Sequence, residues 1–189
     1  MKLRNFGAIG LVISLAACGG GSGGGGAETF DQLASRGNGL IAEYWETSLT
    51  ETMPASGTAN YRGIAAHSSF YTNPEDIVAD PDSLSNVEVT ANFSTSSMGG
   101  VTNNFRVPGN SYPISGSLAI TNGIISGSEF IADVSGTLTE DGIPVMYDGI
   151  VAGGFLGTGA QALAGFGITD ATVAGLGTFE VNSVFIAEQ

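Results

Sequence analysis

From residue 56 to the end of the chain, apolar and polar side chains trade places at every second position. In residues 87–95, Val87, Val89, Ala91 and Phe93 fall on one side, and Glu88, Thr90, Asn92 and Ser94 on the other. Val101, Phe105 and Val107 make the apolar side of the next run, with Thr102, Asn104 and Arg106 turned away. Tyr112, Ile114, Gly116, Leu118 and Ile120 share a row. Phe130, Ala132, Val134, Gly136 and Leu138 form another, opposite Glu129, Asp133, Ser135 and Thr137. Residues 58–64 open this regime, and residues 145–155, 161–169 and 178–187 complete it. A period of two marks strands buried on one face, as in antiparallel sheets. Asn122-Gly123, Glu140-Asp141-Gly142 and Gly157-Thr158-Gly159 read as hairpin connections, because Asn and Gly tolerate positive φ.

Eight such strands at short spacing predict an all-β fold, an eight-stranded antiparallel up-and-down β-barrel over residues 56–189. Closure removes exposed edges, and eight strands leave an interior that side chains just fill. Gly63, Gly116, Gly136, Gly149 and Gly153 on the apolar rows suit a tightly coiled barrel. A transmembrane barrel alternates too, with its apolar face toward lipid. The Gly- and Ala-rich rows lack paired aromatic girdles, which favours a barrel with an apolar inside.

Ahead of the barrel, residues 28–55 have helical character. Thr29 and Gln32 have the spacing of a capping box. Phe30, Leu33, Leu40, Ile41, Tyr44, Trp45 and Leu49 follow at helical intervals. Gly37-Asn38-Gly39 interrupts them, which predicts two short helices or one broken helix. Trp45, the sole tryptophan, is expected to anchor this segment on the barrel, with ligand stacking as the alternative.

The first residues carry an address. Lys2 and Arg4 precede an apolar run, residues 6–15, that is too short to span a bilayer, and Ala16 and Ala17 follow. This is the layout of a signal peptide, residues 1–17. Leu15-Ala16-Ala17-Cys18 resembles the lipobox of bacterial lipoproteins. That resemblance implies lipidation of Cys18 and a membrane contact through the N-terminal lipid. Within the same pattern, Gly19 fits sorting to the outer membrane, on its surface or periplasmic side. The Gly-rich residues 18–27 then read as a flexible tether. As the only cysteine, Cys18 allows no internal disulfide.

The net charge of −13 argues against nucleic acid, whose phosphates need Lys and Arg. It suits solubility as a monomer, or attraction to a basic partner or cations. Chemistry is sparse. His67, the only histidine, stands beside Ser68 and Ser69 and is expected in a surface loop rather than in a catalytic triad. Residues 74–82 read as the longest irregular stretch and carry Glu75, Asp76, Asp80 and Asp82, with weak calcium binding as a minor alternative. Glu140-Asp141 is a further carboxylate pair, without the separation across a cleft that glycosidases need. His67 with Tyr61 or Tyr71 is the only nearby set for a haem. The expectation is therefore no catalytic residue, no metal ligand set and no cofactor.

Gly149-Ile150-Val151-Ala152-Gly153-Gly154-Phe155-Leu156-Gly157, followed by Ala160, Ala164-Gly165 and Phe166-Gly167, resembles the closing pattern of a known barrel. It is that of transferrin-binding protein B-like surface lipoproteins, a group that includes factor H binding protein. Ser56-Gly57-Thr58-Ala59-Asn60-Tyr61-Arg62-Gly63 looks like the strand that opens that barrel. The resemblance implies a non-enzymatic binding protein that captures a protein or a small solute, with nutrient or metal acquisition as the setting. The family's full-length members have two lobes, each with a handle and a barrel, whereas this chain has room for one barrel. Their transferrin-contacting loops lie largely in parts absent here, so no contact residue carries over. The other expectation is an envelope protein with a structural or interaction role and no soluble ligand.

Overall fold

A computed structural model describes residues 28–189; the expected signal peptide, tether and Cys18 lie outside them. The described strands are β1 (Thr58–Ser68), β2 (Ser83–Asn92), β3 (Ser97–Arg106), β4 (Ile114–Ser126), β5 (Glu129–Glu140), β6 (Ile143–Leu156), β7 (Ala162–Val173) and β8 (Gly177–Glu188). Each pairs antiparallel with the next, and β8 pairs with β1, so the sheet closes into an up-and-down barrel. Two helices, α1 (Phe30–Tyr44) and α2 (Pro74–Ala79), pack outside it.

The predicted rows mostly point inward. Val87, Val89 and Ala91 meet Leu118, Ile120, Phe130, Ala132, Val134 and Leu138 in one buried core. The inside is thus apolar, the reverse of the polar interior of an outer-membrane channel. Closure depends on small side chains where strands approach most tightly. Gly63 on β1 lies opposite Ala187, and a methyl group there would fall onto the Ile186 carbonyl.

Two strands depart from the expected phase. On β3, Val101 stands opposite Glu88 on the outer face, while Thr102 turns inward opposite Val87. A left-handed residue, Asn104 (φ 54°), then shifts the register and brings Phe105 inside. The strand is one residue out of phase in its first half, because an inward Thr102 costs little when its hydroxyl is bonded. Asn122-Gly123 is not a turn. Asn122 (φ 53°) makes a bulge inside β4, and the connection to β5 falls later, at Gly127-Ser128. Glu140-Asp141-Gly142 does turn the chain, with Asp141 (φ 48°) and Gly142 (φ 81°) in the primed-turn region.

The outer wall has a covered and a bare side. On the covered side, α1 and α2 bury Ile64, Ala66, Leu84, Val184 and Ile186 against Leu33, Leu40 and Ile77. Each such side chain contributes about 2 kcal/mol on burial. The capping box at Thr29 is formed in both directions, with Gln32 Oε1 accepting from Thr29 N at 2.8 Å. Contrary to expectation, α1 runs unbroken through Gly37-Asn38-Gly39. Gly37 is buried, and a Cβ there would sit 3.4 Å from Ile64, so this glycine lets the helix lie close on β1. Trp45 is partly buried and packs in the same cluster, as an anchor does. Arg36 and Arg106 fasten the helix start: Arg36 donates to the Glu28 carboxylate at 2.9 Å and to Asn86 Oδ1, and Arg106 Nε donates to Glu28 O at 2.9 Å.

On the bare side, Ile124, Ile131, Ile150 and Ile168 are exposed. Beside them Asp148, Asp170 and Glu180 stand directly opposite one another on β6, β7 and β8. Gly63→Ala is predicted to destabilise the protein by about 1–3 kcal/mol through overpacking of the β1–β8 seam, read as a lower urea midpoint at unchanged m-value.

Candidate functional site

The two ends of the barrel are built differently. At one end, Tyr61, Phe93, Phe130, Phe155 and Phe185 form a chain of ring contacts, with centroids 5.5–6.1 Å apart. Tyr61 OH donates to Ala160 O at 2.7 Å, and Gln189 Nε2 donates to the same carbonyl at 2.7 Å. Burial pushes the Tyr61 phenol up to about 12, so it stays a donor. This end is plugged.

The other end opens into a cavity of about 120 Å³. Its walls include Val87, Leu118, Val134, Leu138 and Val151 with Thr102, Thr169 and Ser183, and its mouth carries His67, Asp82, Tyr112, Glu140 and Tyr147. Four connections surround the mouth: residues 69–82 with α2, residues 107–113 with a short 3-10 turn (Pro108–Asn110), the Asp141-Gly142 turn, and residues 174–176. Each carries or borders an apolar side chain that stands in solvent. Phe70 is 82% and Leu176 83% exposed, and Tyr112, Ile143 and Phe179 are each at least 40% exposed.

His67 is not a loop residue. It is on β1, on the inward row that also holds Tyr61 and Ala65, and it lines the cavity. Nothing in its neighbours predicts this, because the strand runs four residues past the segment that alternates clearly. Its Nε2 lies 2.8 Å from Ser85 Oγ, which lies 2.9 Å from Thr102 Oγ1, and its ring stacks 5.3 Å from that of Phe105. Ser85 is fully buried, outside the cavity lining, with its hydroxyl held by Thr102. The chain His67–Ser85–Thr102 therefore satisfies buried polar groups, with Ser85 withheld from the cavity. Ser68 turns to the other face, where its Oγ accepts from Phe70 N and Tyr71 N and shapes the loop.

His67, Tyr61 and Tyr71, the nearby set for a haem, are not brought together. Tyr61 belongs to the plugged end, about 20 Å along the strand from His67 at 3.3 Å per residue, and Tyr71 OH donates to Asp80. The acidic stretch is not irregular throughout: Asn73 caps α2, with Pro74 at its first turn. Asn-Pro-Glu-Asp carried that start signal. Asp82 accepts from Ser69 N at 2.7 Å and Ser69 Oγ at 2.8 Å, which closes the loop. Among the described residues, no group of three or more His, Cys, Asp or Glu side chains is placed to hold a metal ion.

Glu140 faces the mouth and accepts from Tyr147 OH at 2.6 Å, and burial with this bond drives the Tyr147 phenol far up. The Tyr112 phenol is raised by burial and by the nearby carboxylates of Glu140 and Asp82. Burial lowers His67 from 6.5 to about 4, with Asp82 opposing the shift. Between those values the unfolded chain takes up a proton that the folded chain refuses. Stability is therefore predicted to fall as pH drops from 6.5 toward 4, by up to about 1.4 kcal/mol per pH unit. His67→Gln removes that component, seen as a flatter profile of urea midpoint against pH.

A family model described as "C-lobe and N-lobe beta barrels of Tf-binding protein B" matches residues 53–189. Among solved structures, a single mutant of transferrin-binding protein B from Haemophilus parasuis Hp5 is similar at 22% identity and a TM-score of 0.48, covering 76% of this chain and 28% of that one. A double mutant of the same protein gives 21% identity and a TM-score of 0.46, covering 76% and 27%. This chain thus spans less than a third of the length of those relatives. Comparison with curated proteins returned no match. The residues that match, 53–189, contain the whole closed barrel and its open end: the chain belongs to the family of transferrin-binding protein B β-barrels.

Proposed function

We propose that this protein is an outer-membrane lipoprotein, anchored through Cys18, that captures a protein partner at the open end of its barrel without catalysing a reaction. The observation that carries the reading is the ring of exposed apolar side chains, Phe70, Tyr112, Ile143, Leu176 and Phe179, on or beside all four connections at one end. Exposed apolar side chains gathered at one place mark an interaction surface, and loops held by a rigid scaffold are where binding residues concentrate. The acidic loops around the ring favour a partner with a basic face. Family membership supports a binding role, since the relatives are named for binding transferrin. A Gly-rich tether behind a lipidated Cys18 would let the barrel stand off the membrane.

Iron-loaded transferrin is the first partner to test. Cells displaying the chain are titrated with fluorescent transferrin, and Phe70→Ser/Leu176→Ser is predicted to weaken binding about tenfold or more with little change in thermal midpoint. Absence of saturable binding to the unmutated chain would favour the structural envelope role. Cys18→Ser is predicted to abolish incorporation of labelled fatty acid and to release the protein from the membrane fraction.

A further inference from the structure

The cavity behind the apolar ring is a separate feature of the same end. It rests on the capture reading for its location and goes beyond it in ligand. Its volume of about 120 Å³ is close to that of an apolar protein cavity of about 150 Å³ that takes up benzene. The walls are mainly apolar, with Val87, Leu118, Val134, Leu138 and Val151, and the hydroxyls of Thr102 and Thr169 among them are bonded to Ser85 and to Val181 O, so the part of a ligand that enters is largely apolar and ring-sized. The carboxylates that border the cavity are Asp82 and Glu140.

Charge at the mouth is of one sign. The described cationic residues are Arg36, Arg62 and Arg106, and none lines the cavity. Arg36 and Arg106 are committed to Glu28 on the outer wall. Glu140 accepts one side-chain bond, from Tyr147, and Asp82 accepts two, from Ser69. An ionised carboxylate has about four acceptor positions, so both keep capacity for a further donor. An anionic head would meet these carboxylates with no compensating donor of positive charge. A neutral hydroxyl would gain one ordinary hydrogen bond, and an ammonium would gain charge-assisted ones.

We propose that the open end of the barrel binds a small monoamine, with its ring-sized apolar body in the cavity and its ammonium at the mouth beside Asp82 and Glu140. The ligand class is set by shape inside and charge outside: apolar, single-ringed, cationic. Tyr112 and Phe179 border both the ring and the cavity, whereas Phe70, Ile143 and Leu176 do not line the cavity, so capture and amine binding are separated at Phe70 and Leu176.

The test uses the full chain bearing Cys18→Ser, free of detergent, and three probes of matched size: benzylamine, benzyl alcohol and benzoate. Titration calorimetry at neutral pH should show benzylamine binding about tenfold tighter than benzyl alcohol, and benzoate not at all. Methyl resonances of Leu118 and Val134 should shift on adding the amine. Glu140→Gln, which still accepts from Tyr147, should lower amine affinity about tenfold and leave the alcohol unchanged. Val134→Phe should fill the cavity and abolish both; if it does not fold, Glu140→Gln carries the test. Equal binding of amine and alcohol, measurable benzoate binding, shifts confined to the outer wall, or no saturation by benzylamine at about 10 mM would overturn the proposal. Phe70→Ser/Leu176→Ser should leave amine binding intact, so a loss of transferrin capture alone would bear only on the ring.

Discussion

A sheet of eight strands has no free edge only if its first and last strands can meet, and here they meet across Gly63. The seam between β1 and β8 is the shorter of β1's two pairings, covering Arg62 to Ser68 on one side and Asn182 to Glu188 on the other. Every neighbouring feature leans on it. The outer faces of the same strands, Ile64, Ala66, Val184 and Ile186, form the floor on which α1 and α2 lie. Gly37 in the helix lets α1 approach that floor closely. Closure, and the covering of its outside, are thus one packing problem solved by small residues on both sides of one strand.

The same strand shows how one row can build two unlike ends. Its inward side chains run Ala59, Tyr61, Gly63, Ala65, His67. Large rings concentrate at the Tyr61 end, where the aromatic cluster leaves no room. At the His67 end aliphatic and polar side chains are mixed with Phe105, Tyr112 and Tyr147, and space remains between them. The plugged end also ties down both flanks of the barrel: Thr50 N donates to Phe155 O, and Gln189 reaches Ala160. Rigidity at that end is therefore supplied from the chain segments on both sides of the barrel. A buried histidine held neutral is tolerated at the open end because Ser85 bonds its Nε2 and Thr102 in turn holds Ser85.

Much of this was legible as a pattern of periods. Strand number, the inward rows of β2, β4 and β5, and the capping box at Thr29 all come from local spacing, which local physics controls. The departures come where a single residue resets the phase. Asn104 and Asn122 adopt positive φ inside strands, and a sequence does not distinguish an asparagine that bulges from one that turns. Gly37 looks like a helix breaker until the strand beneath it is known. The site was less legible still. Phe70, Ile143 and Leu176 stand far apart in the chain and gather only because up-and-down topology sends alternate connections to the same end. His67 joins them through the length of β1, and the cavity exists because rows from eight strands leave volume that no one row reveals.

The bare wall holds a tension of its own. Ile124, Ile131, Ile150 and Ile168 present an apolar stripe of the kind that draws copies of a protein together. Asp148, Asp170 and Glu180 run beside it in register with no described cation among their cross-strand partners. Like charges so placed cost some stability within one barrel. Two barrels approaching by this wall would double the row. The strain carried by each molecule alone thus becomes a barrier to pairing through the stripe, a barrier that weakens as salt screens it.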